Sequence, residues 1–265
     1  MKLPNTGYQP PIIQVGDYIH GDHLLGDIAT NPIGDWSAFL PSDEFQDRGF
    51  ETYSCVSEAT LHCVEILQRR TYGDTTQYSV RFLAQQSGTG SKGGNDDNTV
   101  AETLRKEGCC AETDWPFNVA NYEAFYTPPP TNVIKLAKVQ FADNSFGHSW
   151  VVDTSPQGMM NALTFSPLAL GVYAWAEPDA NGIYHRPPGA EDCHEITVYD
   201  YDRVNHQYWC IFDSYDNTHK RLAWDYGFGM GKRFTLNRVV PTSPNPTGWI
   251  NWPLFVNWIR GLLGL

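Results

Sequence analysis

A run of three prolines, Thr127-Pro128-Pro129-Pro130, divides the chain into two halves of different periodicity. Proline fixes φ and removes a backbone donor, so neither a helix nor a strand continues through such a run. Before it, Ala59, Cys63, Val64 and Leu67 recur at helical spacing in a segment, 55–70, that reads as the first long helix. Residues 78–84 read as a short helix, and 99–107 as a clear one closed by Gly108. After the prolines, β-branched and aromatic runs at 133–141, 169–175, 195–201, 207–212, 222–224 and 232–236 lie between turn residues and read as strands. The expectation is an α+β chain with its main body at 36–240. That body has an N-terminal helical lobe (about 36–127) and a C-terminal antiparallel, β-barrel-like lobe (about 131–240), with the active site in the cleft between them. Residues 1–35, rich in Gly, Pro and Asp, read as an extended arm lying on the surface.

The bulk numbers narrow the function classes. With 265 residues, 41% of them hydrophobic and 14% aromatic, the chain can bury a sizeable core. A net charge of -12 argues against nucleic acid as a general partner. There is no stretch of about 18 apolar residues, so no membrane span is expected. The start, Met1-Lys2-Leu3-Pro4-Asn5, lacks the apolar core of a secretory signal, and the expected location is cytoplasmic or virion-associated. Six cysteines with one assigned to chemistry leave an odd number, which favours reduced thiols over a disulfide framework. No cofactor or metal is expected. Gly88-Thr89-Gly90-Ser91-Lys92-Gly93 matches G-x-G-x-x-G, but Asn95-Asp96-Asp97-Asn98 separates it from the following helix. His20 and His23 lack further ligands at regular spacing.

Three residues carry the chemistry. Cys55 heads the first helix, where unpaired N–H groups and the helix dipole favour a thiolate. His194 opens a strand-like run and Asp213 ends the next one. A thiol, an imidazole to protonate the leaving group and a carboxylate to orient the imidazole make a cysteine hydrolase the leading expectation.

Further motifs in the same order resemble the papain-like cysteine peptidases. These are Asp35-Trp36 followed by Ser54-Cys55, Lys92-Gly93-Gly94-Asn95, Trp115-Pro116-Phe117, Gly182-Ile183-Tyr184 and Phe212-Asp213-Ser214-Tyr215. The resemblance spans roughly residues 35–237. His194 lies 139 residues after Cys55, inside the roughly 130–150 spacing of such enzymes, and Asp213, at 158, falls just outside it. The resemblance implies a two-lobe papain-like fold and a cysteine endopeptidase acting on peptide or protein substrates. It also implies a specificity pocket lined by Gly93 and Gly94, with Glu195 and Tyr215 near the substrate. The divergence and the signal-less start are similar to those of bacteriophage-encoded relatives.

The chain also departs from that family. Its oxyanion-donating Gln has no counterpart at the usual place, and Gln46 and Arg48 are the candidates. Val56 and Glu58 replace larger apolar residues after the Cys, and Glu58 opposes thiolate formation unless it points to solvent or is paired. Glu195 stands where a small residue is usual. Asp213 replaces an Asn. Two alternatives follow: amidase or transglutaminase-like acyl transfer on the same triad, and a catalytically weak papain-like structural or virion component. In the tail, 241–265, a Pro/Asn/Ser linker precedes an amphipathic helix with Leu254, Phe255, Trp258, Ile259, Leu262 and Leu263 on one face. It packs on its own domain, docks on a partner protein or a second copy, or lies at a membrane surface.

Overall fold

The structure is a computed structural model, and it describes residues 7–21, 31–42, 49–90, 94–142, 144–205, 207–216 and 218–238. The tail expectation therefore lies outside the described residues.

After a short 3-10 turn at Ser37–Phe39 come α1 (Cys55–Tyr72), α2 (Val80–Gln86), α3 (Asp97–Glu107), α4 (Tyr122–Phe125) and α5 (Thr131–Phe141). Then follow β1 (Asn144–Val151), α6 (Pro156–Leu163), β2 (Leu168–Val172), β3 (Ile183–Tyr184), β4 (His194–Tyr201), β5 (Tyr208–Asp213), β6 (Thr218–Ala223) and β7 (Gly231–Arg238). The architecture is α+β with a helical and a β lobe, as the change of periodicity implied.

The strands form one sheet in the order β1-β7-β2-β4-β5-β6-β3. It is open rather than closed into a barrel. Every pairing is antiparallel except β3 on β6. Residues 194–199 of β4 are buried on both faces, because the strand sits mid-sheet with α1 against one side. Thr197 Oγ1 reaches the Ala59 carbonyl at 3.4 Å, which fixes the Thr197 face of β4 toward α1.

α1 is sealed on all sides from Cys55 to Gln68, packed between α2, α3 and strands β2, β4 and β7. Burying each of Leu61, Val64 and Ile66 stabilises it by about 1.5–3 kcal/mol, and truncating Ile66 to Ala would cost about 2–5 kcal/mol. Gly73, in the left-handed region at φ 65, ends the helix, and its N–H bonds the Arg69 carbonyl.

Three local expectations are corrected. Segment 133–141 is helix α5, not a strand: its buried residues Val133, Leu136, Ala137 and Phe141 follow a helical period that outweighs its β-branched content. Strand β1 and helix α6 were not foreseen. The arm is not wholly superficial, since Tyr8 is buried. All six cysteines are free.

Candidate active site

The turn into α1 is tightly held. Tyr53 adopts φ 59, a left-handed conformation that costs a bulky residue about 1–2 kcal/mol. Neighbouring bonds fix it: Tyr53 N–H donates to Glu51 Oε1 (2.7 Å), the Thr52 and Ser54 hydroxyls bond each other (2.7 Å), and the Tyr126 hydroxyl donates to the Thr52 carbonyl. This turn delivers Cys55 as the first residue of α1.

The Cys55 side chain is fully buried, yet its surroundings are polar. Two backbone N–H groups act on its sulfur: that of Glu195, the residue directly after His194, and that of Val56 at the helix start. Burial pushes the thiol well above its ordinary value. The Glu195 carboxyl adds to that rise, the two N–H groups oppose it, and Glu51 contributes a smaller upward push. Glu58 is fully buried, so it does not point to solvent.

His194 and Asp213 meet where β4 begins and β5 ends. His194 Nε2 lies 2.7 Å from Asp213 Oδ1, and both side chains are fully buried. Asp213 is further held by Trp175 Nε1 on Oδ2 (2.7 Å), by Lys220 Nζ on Oδ2 (2.7 Å) and by the Tyr215 N–H on Oδ1 (3.0 Å). Burial acts to raise the Asp213 carboxyl. The charge and hydrogen bond of His194, and then those of Lys220, outweigh it and hold the carboxyl well below its usual range. The rings of Trp175 and Tyr215 stand edge-on to His194 at 6.1 Å, on either side of the imidazole. Lys220 Nζ sits 5.4 Å over the Trp175 ring.

Beside Cys55 lies a second buried pair. The buried Glu195 and Asp97 carboxyls act on each other, and none of their oxygens has a hydrogen-bond partner among the described residues, so two negative charges there are disfavoured. Burial and the Asp97 charge push Glu195 well above its usual value. Burial pushes Asp97 up to about 7, opposed by the Lys232 ammonium. A protonated Glu195 is neutral, which removes most of its opposition to a thiolate at Cys55. Over this pair lies Tyr8 from the N-terminal arm, bridged through its backbone to Asn95.

The structure thus gathers Cys55, His194, Glu195, Asp213, Tyr215 and Gly94 into one region where α1 faces the sheet. Gln46, Arg48 and Gly93 lie outside the described residues. Sequence reasoning missed Lys220, Trp175, Asp97 and Tyr8. Lys220 had a readable signal: strand alternation puts it on the face of Leu222, which is buried, while its neighbours His219 and Arg221 face out.

No known family profile matches the sequence, and no curated protein does. Solved structures do match. Xylellain, a cysteine protease from Xylella fastidiosa, superposes with a TM-score of 0.64 at 16% identity, over 90% of this chain and 97% of that one. The fold is papain-like. The bromelain protease from Ananas comosus, in complex with the E64 inhibitor, matches with a TM-score of 0.56 at 17% identity, over 77% of this chain and 98% of that one. Digestive procathepsin L 3 of the Tenebrio molitor larval midgut matches with a TM-score of 0.54 at 19% identity, over 72% and 64%. At such identities the likeness is one of fold. In this papain-like fold Cys55 stands at the head of α1, and His194 and Asp213 stand on strands β4 and β5 of the sheet. Among the described residues no group of His, Cys, Asp and Glu could hold a metal ion, and no helix is long and apolar enough to cross a membrane.

Proposed function

We propose that this chain is a cysteine peptidase that cuts peptide bonds in the interior of peptide or protein substrates, using Cys55, His194 and Asp213. The Cys55 thiolate attacks the scissile carbonyl carbon. His194 then protonates the leaving amine as the acyl-enzyme thioester forms. A water, giving its proton to His194, attacks the thioester and releases the acid and the thiol. Since His194 Nε2 is committed to Asp213, Nδ1 is the nitrogen that serves the thiol. The N–H groups at the start of α1 stabilise the oxyanion, with Gln46 or Arg48 as the proposed side-chain donor.

The observation that carries this reading is the fully buried His194–Asp213 pair at 2.7 Å, one residue along β4 from the N–H that meets the Cys55 sulfur. Its test is thiol reactivity. Iodoacetamide or an epoxide should label Cys55 faster than the other five cysteines, and His194→Ala should slow that labelling by about 100-fold or more. Equal labelling of all six cysteines, unaffected by His194→Ala, would sink the proposal. It would favour the second reading, a catalytically weak papain-like component. One observation favours that reading: the Cys55 sulfur is enclosed, and burial raises its thiol.

A further inference from the structure

Tyr8 is 222 residues away in sequence from its hydrogen-bond partner, yet it is 5% exposed and wedged into the core of the site. Its hydroxyl donates to the Met230 carbonyl at 3.2 Å. On either side the arm pairs through its main chain as an added extended segment: Asn95 N–H donates to the Gly7 carbonyl (3.0 Å), and Gln9 N–H to the Asn95 carbonyl (2.9 Å). Two glycines make the room. A Cβ on Gly94 would stand 1.7 Å from the Gly7 carbonyl oxygen, and one on Gly171 would stand 2.6 Å from the Tyr8 hydroxyl. Beyond the hydroxyl, the leading charges acting on it are those of Asp97, Glu195, Asp192 and Cys55. The slot is thus long, narrow, floored by acceptors and carboxyls, and adjacent to the proposed nucleophile.

We propose that the slot filled by Tyr8 is the side-chain pocket for substrate at the Cys55 centre, and that it selects a long side chain ending in a hydrogen-bond donor, tyrosine first and lysine second. The inference rests on the peptidase reading for its use, and it names the substrate class. The Met230 carbonyl accepts the Tyr8 hydroxyl and carboxyls act on it from nearby, so a phenol or an ammonium suits the slot's end. A phenylalanine would leave the part-buried Met230 carbonyl with only the Gly171 N–H at 3.4 Å, which disfavours it by about 10-fold. The resting chain holds its own Tyr8 in that place, and substrate displaces it.

The test is cavity rescue in the full-length Tyr8→Ala variant, followed by calorimetric titration with the side-chain fragments p-cresol, toluene and n-butylammonium. We expect p-cresol to bind the variant saturably and not the wild type, with n-butylammonium weaker and toluene at least about 10-fold weaker than p-cresol. Toluene binding as tightly as p-cresol, no fragment binding, or equal binding to wild type would overturn the inference. Should Tyr8→Ala not fold, Tyr8→Phe preserves the shape and removes only the hydroxyl. Amide exchange at Gln9 and Asn95 should then quicken about 10-fold, and unchanged exchange would count against the slot's preference for a donor. Fragment binding needs no turnover. Selective p-cresol binding with indiscriminate cysteine labelling would spare the slot and reject the peptidase; the reverse result would reject the slot alone.

Discussion

Lys220 gives the sharpest quantitative test of the site. Its ammonium lies 2.7 Å from Asp213 Oδ2, with the lysine side chain 4% exposed and the carboxylate fully buried. Replacing Lys220 by Met keeps much of the apolar stem and leaves Asp213 a buried anion. Removing one partner of a buried pair costs about 3–5 kcal/mol, and a lost hydrogen bond to a charged group about 1.5–3 kcal/mol. Asp213 retains His194, Trp175 and the Tyr215 N–H, so the loss should fall between these ranges, about 2–4 kcal/mol. Urea unfolding at pH 7 of wild type, Lys220→Met, Asp213→Asn and the double variant completes a cycle. The double variant carries a neutral amide in the core and leaves only the half-exposed Asp216 without the ammonium, so it should be more stable than Lys220→Met alone by at least about 1 kcal/mol. A Lys220→Met loss under about 1 kcal/mol, or a double variant no more stable than the single one, would refute the reasoning that Lys220 neutralises Asp213.

The Asp97–Glu195 pair predicts a pH dependence. Both folded-state values lie above the ordinary carboxylate range, so the folded protein binds more protons than the unfolded chain between about pH 4 and 7. Stability therefore falls as pH rises across that window, by at most about 1.4 kcal/mol per pH unit for each proton. Asp97→Asn should flatten the fall when urea midpoints are compared at pH 5 and 7, and an unchanged slope would contradict the raised titration of the acid pair. Gly171→Ala places a methyl 2.6 Å from the Tyr8 hydroxyl and should cost about 1–3 kcal/mol while freeing the arm. Unaltered stability together with unaltered exchange at the Asn95 amide would argue against the packing described. Asp213 behaves oppositely to the acid pair. Its contribution is present above its unfolded value, near 3.9, and disappears as pH falls toward its depressed folded value, so the stability gap between wild type and Asp213→Asn should narrow below about pH 4.

What could be read from the sequence follows from how locally each feature is encoded. α1 and α3 carry periodicity and end signals in consecutive residues, and both lie near where the pattern put them. β5 shows as a continuous apolar and aromatic run, Tyr208 to Phe212, and β4 through the β-branched and aromatic residues Ile196, Thr197, Val198 and Tyr199. β1 was invisible because Asn144, Ser145, Gly147, His148 and Ser149 carry little strand signal; its eight-residue pairing with β7 supplies what propensity lacks. α5 was misread because Val133, Ile134 and Val139 suggested β structure, although the spacing of Val133, Leu136, Ala137 and Phe141 was available to correct it. α6 had its signal in plain view: Ser155 caps the Gly158 N–H and Pro156 opens the first turn.

The site was legible only where each residue announced itself. Cys55, His194 and Asp213 stand at element edges, but what tunes them comes from elsewhere in the chain. Lys220 reaches Asp213 from the next strand, Trp175 from the segment after β2, Asp97 reaches Glu195 from α3, and Tyr8 arrives from the arm. An acid in place of an amide beside the imidazole looked, in sequence, like added negative charge. With the Lys220 ammonium on its far oxygen, and shared with Asp216 nearer the surface, much of the Asp213 charge is offset inside the core. The Asp213 carboxylate and the buried Lys220 are thus one unit, each offsetting the other's charge away from water.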